Sequence, residues 1–352
     1  MTLPLHALSR FLAAVALTAL LLAPAGSRAA VFDPKSFTLE NGLQVVVVEN
    51  PRIPVVTHMV WYRTGSADEP RGKSGIAHFL EHLMFRGTET LAPGEFSRIV
   101  NRNGGQDNAF TSFDYTAYFQ SVAADRLELM MKLEADRMAN LALTDDVVLP
   151  ERDVILEERR QVVDNNPSAV LGEQMRAAQY LHHPYRIPII GWESEMRTLS
   201  TQDAMDWYRR WYAPNNAFVV IAGAVTVEEV RPLAEKYYGA IPRREIAPRD
   251  RVEEPPQQAA RRVERSDARV QQPSLSRQYL APSYIWGETE HAYALEVLAE
   301  ILSGGPTSRL YRRLVVEQDI AVSAGAFYNP NAIGPGGFGF FGSPKSGVEV
   351  ER

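Results

Sequence analysis

Gly75-Ile76-Ala77-His78-Phe79-Leu80-Glu81-His82-Leu83-Met84-Phe85-Arg86-Gly87-Thr88 is the stretch on which the reading of this chain turns. Ser74-Gly75 is expected to open a helix. Along a helix each residue advances about 100°, so His78, Glu81 and His82 share one arc of about 100°. One face then presents two imidazoles and a carboxylate. Two His at i and i+4 can bind one zinc ion through ring nitrogens. The adjacent Glu can accept a proton from water that zinc acidifies to a pKa of about 7. His-x-x-Glu-His is the inverted form of the thermolysin-type motif. With seven His in 352 residues, chance yields this pattern in roughly one chain in a hundred, as a helix face without metal.

A catalytic zinc takes three protein ligands and leaves one position for water, so a third His, Asp or Glu must come from elsewhere. Pro150 suits the first turn of a further helix that Glu151 to Val163 continues. Within it Glu151 and Glu158 lie two turns apart on the same side, while Glu157 points about 100° away. The residues alone leave these carboxylates open as the third ligand. A closed structural zinc is disfavoured, because no fourth His or Cys sits at suitable spacing.

Moving outward from the motif, Ser36-Phe37-Thr38-Leu39 and Leu43 to Val48 flank Asn41-Gly42, which signals a hairpin with a two-residue turn. Val55 to Tyr62 is β-branched and aromatic enough for a third strand. Ala124 to Leu141 has amphipathic helical spacing. Ala217 to Gly223 is a continuous apolar run of strand length, and Val227 to Tyr238 reads as the helix after it. Residues 243–272, rich in Pro, Arg and Gln, read as an interdomain linker leading into an edge strand. Thr289 to Leu302 is helical, Gly304-Gly305-Pro306 breaks it, and Ser308 to Glu317 resumes. That order echoes residues 76–120 and hints at an internal duplication.

Residues 1–29 have the layout of a secretory signal: Arg10, an apolar run from Phe11 to Ala23 too short to span a bilayer, and small residues before a cleavage point after Ala29. The chain contains no cysteine, which excludes a disulfide framework and thiolate metal ligands. With 43 acidic against 37 basic side chains and a net charge of −6, nothing supports nucleic-acid binding.

The quoted stretch resembles the signature of the insulinase/pitrilysin family of zinc metallopeptidases, which includes the mitochondrial processing peptidase. The resemblance extends to Gly65-Ser66-Ala67-Asp68-Glu69, Asn108-Ala109-Phe110-Thr111, Glu151 to Glu158, His183-Pro184-Tyr185 and Tyr212-Ala213-Pro214-Asn215-Asn216. It implies zinc, one ion per chain, held by His78, His82 and Glu158. Glu158 lies seven residues after Glu151 and 76 past His82. It further implies Glu81 as general base, Glu151 as an assisting carboxylate, and Asn108, Ala109 and Phe110 as the edge strand to which a peptide substrate adds. Glu157 becomes a surface charge.

The pattern also breaks. Family members contribute an Arg and, seven residues later, a Tyr from a second, inactive domain, and Val315 and Val322 stand at the matching positions here. The expectation is therefore a heterodimer whose homologous sister subunit supplies Arg and Tyr. The expected fold is α+β, with two homologous domains, each a mostly antiparallel sheet with helices on one face. Residues 30–245 would form the zinc-binding catalytic domain and 246–352 the linker and a second, truncated domain. The expected protein is a secreted, periplasmic, zinc-dependent endopeptidase acting on peptides or unfolded segments. The competing expectation is a non-catalytic scaffold subunit.

Overall fold

The computed structural model describes residues 32–349; the expected secretory segment lies outside the described residues. Two sheets organise the described residues. The first contains β1 (Lys35–Thr38), β2 (Gln44–Glu49), β3 (Val55–Tyr62), β4 (Gln106–Thr111), β5 (Thr116–Ala123) and β6 (Ala217–Gly223), in the order β1-β2-β6-β3-β5-β4. All its pairs are antiparallel except β2 with β6. The central place of β6 explains its unbroken apolar run. Gly223 takes φ +140°, and a Cβ there would lie 2.2 Å from the carbonyl oxygen of Val55, so only glycine lets β6 approach β3 this closely.

Strand alternation sends one set of side chains to the core. Val45 and Val47, Val56 and Val60, Tyr118 and Val122, and Val219 and Ile221 are all buried, each such side chain contributing about 1.5–3 kcal/mol. They belong to one cluster with the apolar faces of α1 (Ile76–Leu83), α2 (Glu95–Arg102), α3 (Leu127–Asn140), α4 (Asp145–Arg159), α7 (Thr201–Trp211) and α8 (Val227–Tyr237). The remaining helices of this part are α5 (Pro167–Gln179) and the short α6 (Glu193–Met196). The core also encloses charge. Arg137 Nε donates to Glu134 Oε2 at 2.6 Å, both side chains being fully buried, and its guanidinium lies 4.2 Å from the Phe96 ring centroid and 4.4 Å from that of Tyr118. Gln120 Nε2 donates to the same carboxylate at 2.6 Å, which leaves its Oε1 to accept from His58 Nδ1 at 3.1 Å. His58 Nε2 is then free to accept from the Tyr238 hydroxyl at 2.9 Å. Burial lowers the His58 pKa and so favours this neutral tautomer.

The second sheet comprises β7 (Leu275–Ala281), β8 (Ala321–Asn329) and β9 (Gly336–Pro344), in the antiparallel order β7-β9-β8. Between β7 and β8 lie α9 (Ala292–Ser303) and a wide helical segment, Tyr311–Glu317. The succession strand, helix, helix, hairpin is that of β3-α1-α2-β4-β5, and β7-β9-β8 reproduces the order β3-β5-β4. The hinted duplication is therefore a repeated topology, and the α+β reading with two related units stands.

Two local expectations need correction. The β1–β2 hairpin closes on Leu39 and Leu43 around a three-residue turn, because, of Asn41 and Gly42, only Gly42 has positive φ, whereas a two-residue type I′ turn needs both. Asn41 serves a tertiary purpose: its Nδ2 donates at 2.8 Å to the carbonyls of both Tyr238 and Ile241. Second, α4 starts at Asp145 behind Thr144, with Asp145 and Asp146 in its first turn, so Pro150 sits inside the helix; Asp side chains there suit the positive end of the helix dipole. The linker runs without helix or strand into an edge strand, as expected, and it is anchored along its length as a strap. Arg251 bridges Asp68 (3.0 Å) and Asp114 (2.6 Å). Glu254 accepts the backbone N–H groups of Leu181, His182 and His183 at 2.6–2.9 Å, and Arg261 and Arg269 donate to the carbonyls of Gln179 and Asn165.

Candidate metal centre

Helix α1 is set in place at its first turn. The Glu69 carboxylate accepts from the N–H groups of Gly75 and Ala77, both at 2.9 Å, satisfying donors that a helix start leaves without partners. Gly75 has φ +87°, and a Cβ would meet Met196 Sδ at 2.3 Å, so both backbone and packing demand glycine. The apolar residues of α1, Phe79, Leu80 and Leu83, are fully buried, and this turns the His78/Glu81/His82 face toward α4 and β4.

Helix α4 answers with two carboxylates. Glu158 Oε2 lies 3.5 Å from His82 Nε2 and 3.8 Å from His78 Nε2. These separations exceed a hydrogen bond and are close to the roughly 3.3 Å expected between ligand atoms at the corners of a tetrahedron around zinc. One ligand atom from each of the three residues lies within 4.8 Å of the others. Glu158 Oε2 is itself buried without a hydrogen-bond partner. The donor set, two imidazoles and one carboxylate, fits one divalent cation with a position left open. Burial, reinforced by the neighbouring His82, pushes the His78 pKa down to about 3, keeping that ring in the neutral form a ligand requires.

Glu151, on the inward side of α4, binds His82 Nδ1 through Oε1 at 2.9 Å, and Arg86 contacts its other oxygen. The carboxylate thereby directs the His82 Nε2 lone pair toward Glu158. Burial works to lower the His82 pKa, but the hydrogen bond and charge of Glu151, with Glu158 and Glu81, outweigh it and raise the value. In Glu151 burial is likewise outweighed, here by His82 and Arg86, and its pKa falls. Glu157 is half exposed and pairs with Arg160 at 2.5 Å.

Glu81 is buried, 8% exposed, and burial raises its pKa against the opposing hydrogen bond from Thr111. Thr111 ends β4, the edge strand of the first sheet. Asn108, Ala109 and Phe110 precede it on that edge; Asn108 is exposed and its Oδ1 accepts the Ala109 N–H at 2.8 Å. Three contributors escaped the sequence reading of the site. Glu69, Arg86 and Thr111 all fall within the quoted motifs, yet only the folded geometry gives them partners. An acidic residue shortly before a helix start was the one available signal, for Glu69. In the second unit, Val315 is half-buried and Val322 is exposed on β8; neither offers a polar group.

Two imidazoles and a carboxylate on adjoining helices, beside a sheet edge, define an inverted-motif metal centre. The sequence profile of the insulinase family, peptidase family M16, matches residues 44–192, and that of the peptidase M16 inactive domain matches residues 198–351. The zinc protease PqqE of Helicobacter pylori is 36% identical over 296 residues, covering 82% of this chain and 65% of that protein. An uncharacterised zinc protease of Mycobacterium tuberculosis is 32% identical over 301 residues, covering 84% of this chain and 67% of its own length. The crystal structure of a protease from Helicobacter pylori superposes with a TM-score of 0.84 at 33% identity, covering 91% of this chain and 77% of that one. This chain belongs to the insulinase family, peptidase family M16. It spans about 65% of the length of the Helicobacter zinc protease it matches. Its relatives are zinc proteases by name, and His78, His82 and Glu158 form the group able to bind the metal. Among the described residues no helix is long and apolar enough to cross a membrane.

Proposed function

We propose that this chain is the zinc-bearing subunit of an exported endopeptidase that hydrolyses peptide bonds in peptides or unfolded segments. One observation carries the reading: His78, His82 and Glu158 converge from two helices beside a buried Glu81 that is tied to a sheet edge. Zinc held by these three residues supplies Lewis acidity to a water molecule and to the scissile carbonyl. Glu81 takes the proton of the attacking water and hands it to the departing amine, a role that a buried carboxylate with a raised pKa suits. Glu151 holds His82 in the ligating orientation. Asn108, Ala109 and Phe110 bind an extended peptide through main-chain pairing along β4, which gives affinity with limited side-chain preference.

A sister subunit of the same fold supplies an Arg and a Tyr to the substrate, because Val315 and Val322 occupy the corresponding positions here. Residues 1–29 direct export, to the periplasm of a bacterial cell. Residues 30–245 act as the catalytic domain and 246–352 as strap and second domain. The two valines also favour a second reading, a non-catalytic scaffold subunit; the retained His78, Glu81, His82 and Glu158 oppose it.

Metal analysis of the purified full chain, with peptide hydrolysis before and after chelation, separates these readings. The expected result is one zinc per chain and chelator-sensitive cleavage that rises when the sister chain is added. Full activity without any homologue would remove the heterodimer. No hydrolysis, alone or with the sister chain, would leave the scaffold.

A further inference from the structure

Immediately beyond Thr111 the chain lines a cleft of about 540 Å³ between the β4–β5 turn, helix α5 and the β8–β9 hairpin. One cation in its wall lacks a counter-charge. The Arg176 guanidinium lies 5.0 Å from the Phe113 ring centroid and, among the described residues, has no hydrogen-bonded or ion-paired partner. The two acidic groups of the cleft wall are engaged elsewhere. Glu173, one helical turn before Arg176 and its natural partner, is held in a two-pronged pair by Arg159, at 2.9 and 3.0 Å. Asp114 accepts from Arg251, from the Tyr185 hydroxyl and from the N–H of Ile333. Arg176 is an exposed residue, while the surrounding walls desolvate its guanidinium enough to lower its pKa. A guanidinium held against an aromatic ring, with both neighbouring carboxylates taken, has N–H donors to offer an incoming carboxylate.

We infer that Arg176 and Phe113 form a carboxylate-binding subsite for the peptide substrate. A peptide lying along β4 and running past Thr111 advances about 3.3 Å per residue, so it reaches Phe113 within two or three residues. The subsite therefore selects an acidic side chain, or a terminal carboxylate, a few residues to one side of the reacting bond. This inference rests on the peptidase reading above.

The test uses the full chain carrying Glu81→Gln, so that binding is read without turnover. Fluorescence anisotropy compares labelled peptides in which a single Glu is moved along the sequence with the same peptides bearing Gln, and peptides ending in a free carboxylate with their amides. The expected result is binding about tenfold tighter for the acid at one position only, weakening with added salt. That gap closes when Arg176→Gln is added and is partly kept by Arg176→Lys, with thermal melting verifying that both variants fold. The Glu and terminal-acid arms tell which carboxylate is taken. Equal binding of acid and amide, or a gap that survives Arg176→Gln, overturns the subsite and leaves the peptidase reading intact. Binding of none of the peptides, with the chain alone or with the sister chain added, overturns both.

Discussion

Thr111 Oγ1 donates a 2.5 Å hydrogen bond to Glu81 Oε2 and so joins the last residue of the β4 edge strand to the carboxylate beside the metal ligands. The bond occupies one carboxylate oxygen, and in the proposed mechanism the other takes the proton of the attacking water. Replacing Thr111 with Val keeps the shape and removes the donor. The expected outcome is a fall in kcat of about tenfold to a hundredfold, the worth of a hydrogen bond to a charged group, with unchanged zinc content and little change in KM. Ser should restore most of the rate. A Val variant with wild-type kcat rejects the positioning role.

Glu158 and Glu151 should separate cleanly in metal titrations. Glu158→Gln removes one of three ligands, and the purified protein is expected to lose its zinc. Glu151→Gln leaves all three and disturbs only the orientation of His82, so zinc affinity should fall about 10- to 100-fold. Competition with a chromogenic chelator measures both; equal losses would contradict the division.

The buried Glu134–Arg137 pair gives a stability prediction. Glu134→Gln leaves Arg137 charged inside the core and should cost about 3–5 kcal/mol in denaturant unfolding. Replacing both residues with Leu and Met is expected to cost far less. A single substitution within 1 kcal/mol of wild type, on the order of an ordinary surface change, would show that water reaches the pair.

His183 is buried, and its pKa is pushed down to about 4 by burial and by Arg251, against the opposing charges of Asp114 and Glu254. Its ring also lies against Gly334 of the β8–β9 hairpin. Because the folded value is below the unfolded one, the unfolded chain binds more protons between the two. Stability is full above about pH 6.5 and declines as pH falls toward about 4, by at most about 3 kcal/mol. Urea unfolding at about pH 7.5 and about pH 5 should show this decline, and His183→Asn should flatten it. An unchanged slope in the variant would assign the acid sensitivity to other groups.

The parts of the fold and site that could be read in advance are those encoded by short-range pattern. The His78/Glu81/His82 face follows from helical spacing, and β6 and α8 follow from runs of one residue class. Glu158 needed the family resemblance, because periodicity places it on the same side as Glu151 and does not choose between them. Long-range pairing stayed hidden: the unbroken apolar run of β6 marks an interior strand, but nothing local names β2 and β3 as its neighbours. Helices α5 and α7 passed unread despite the Ser200/Asp203 capping box that starts α7. The anchoring of the linker stayed hidden, because the carboxylates and carbonyls that receive its arginines lie elsewhere in the sequence.

That strap makes the connection between the two sheets tolerant of injury. Its two ends are moored separately, Arg251 and Glu254 on one side, and Arg261 and Arg269 further along. Severing the peptide backbone between Glu254 and Arg261 would leave each new terminus fastened to the body it already lies on. A nicked molecule would run as two pieces on a denaturing gel while sedimenting as one particle, and the chain could accept an inserted tag there.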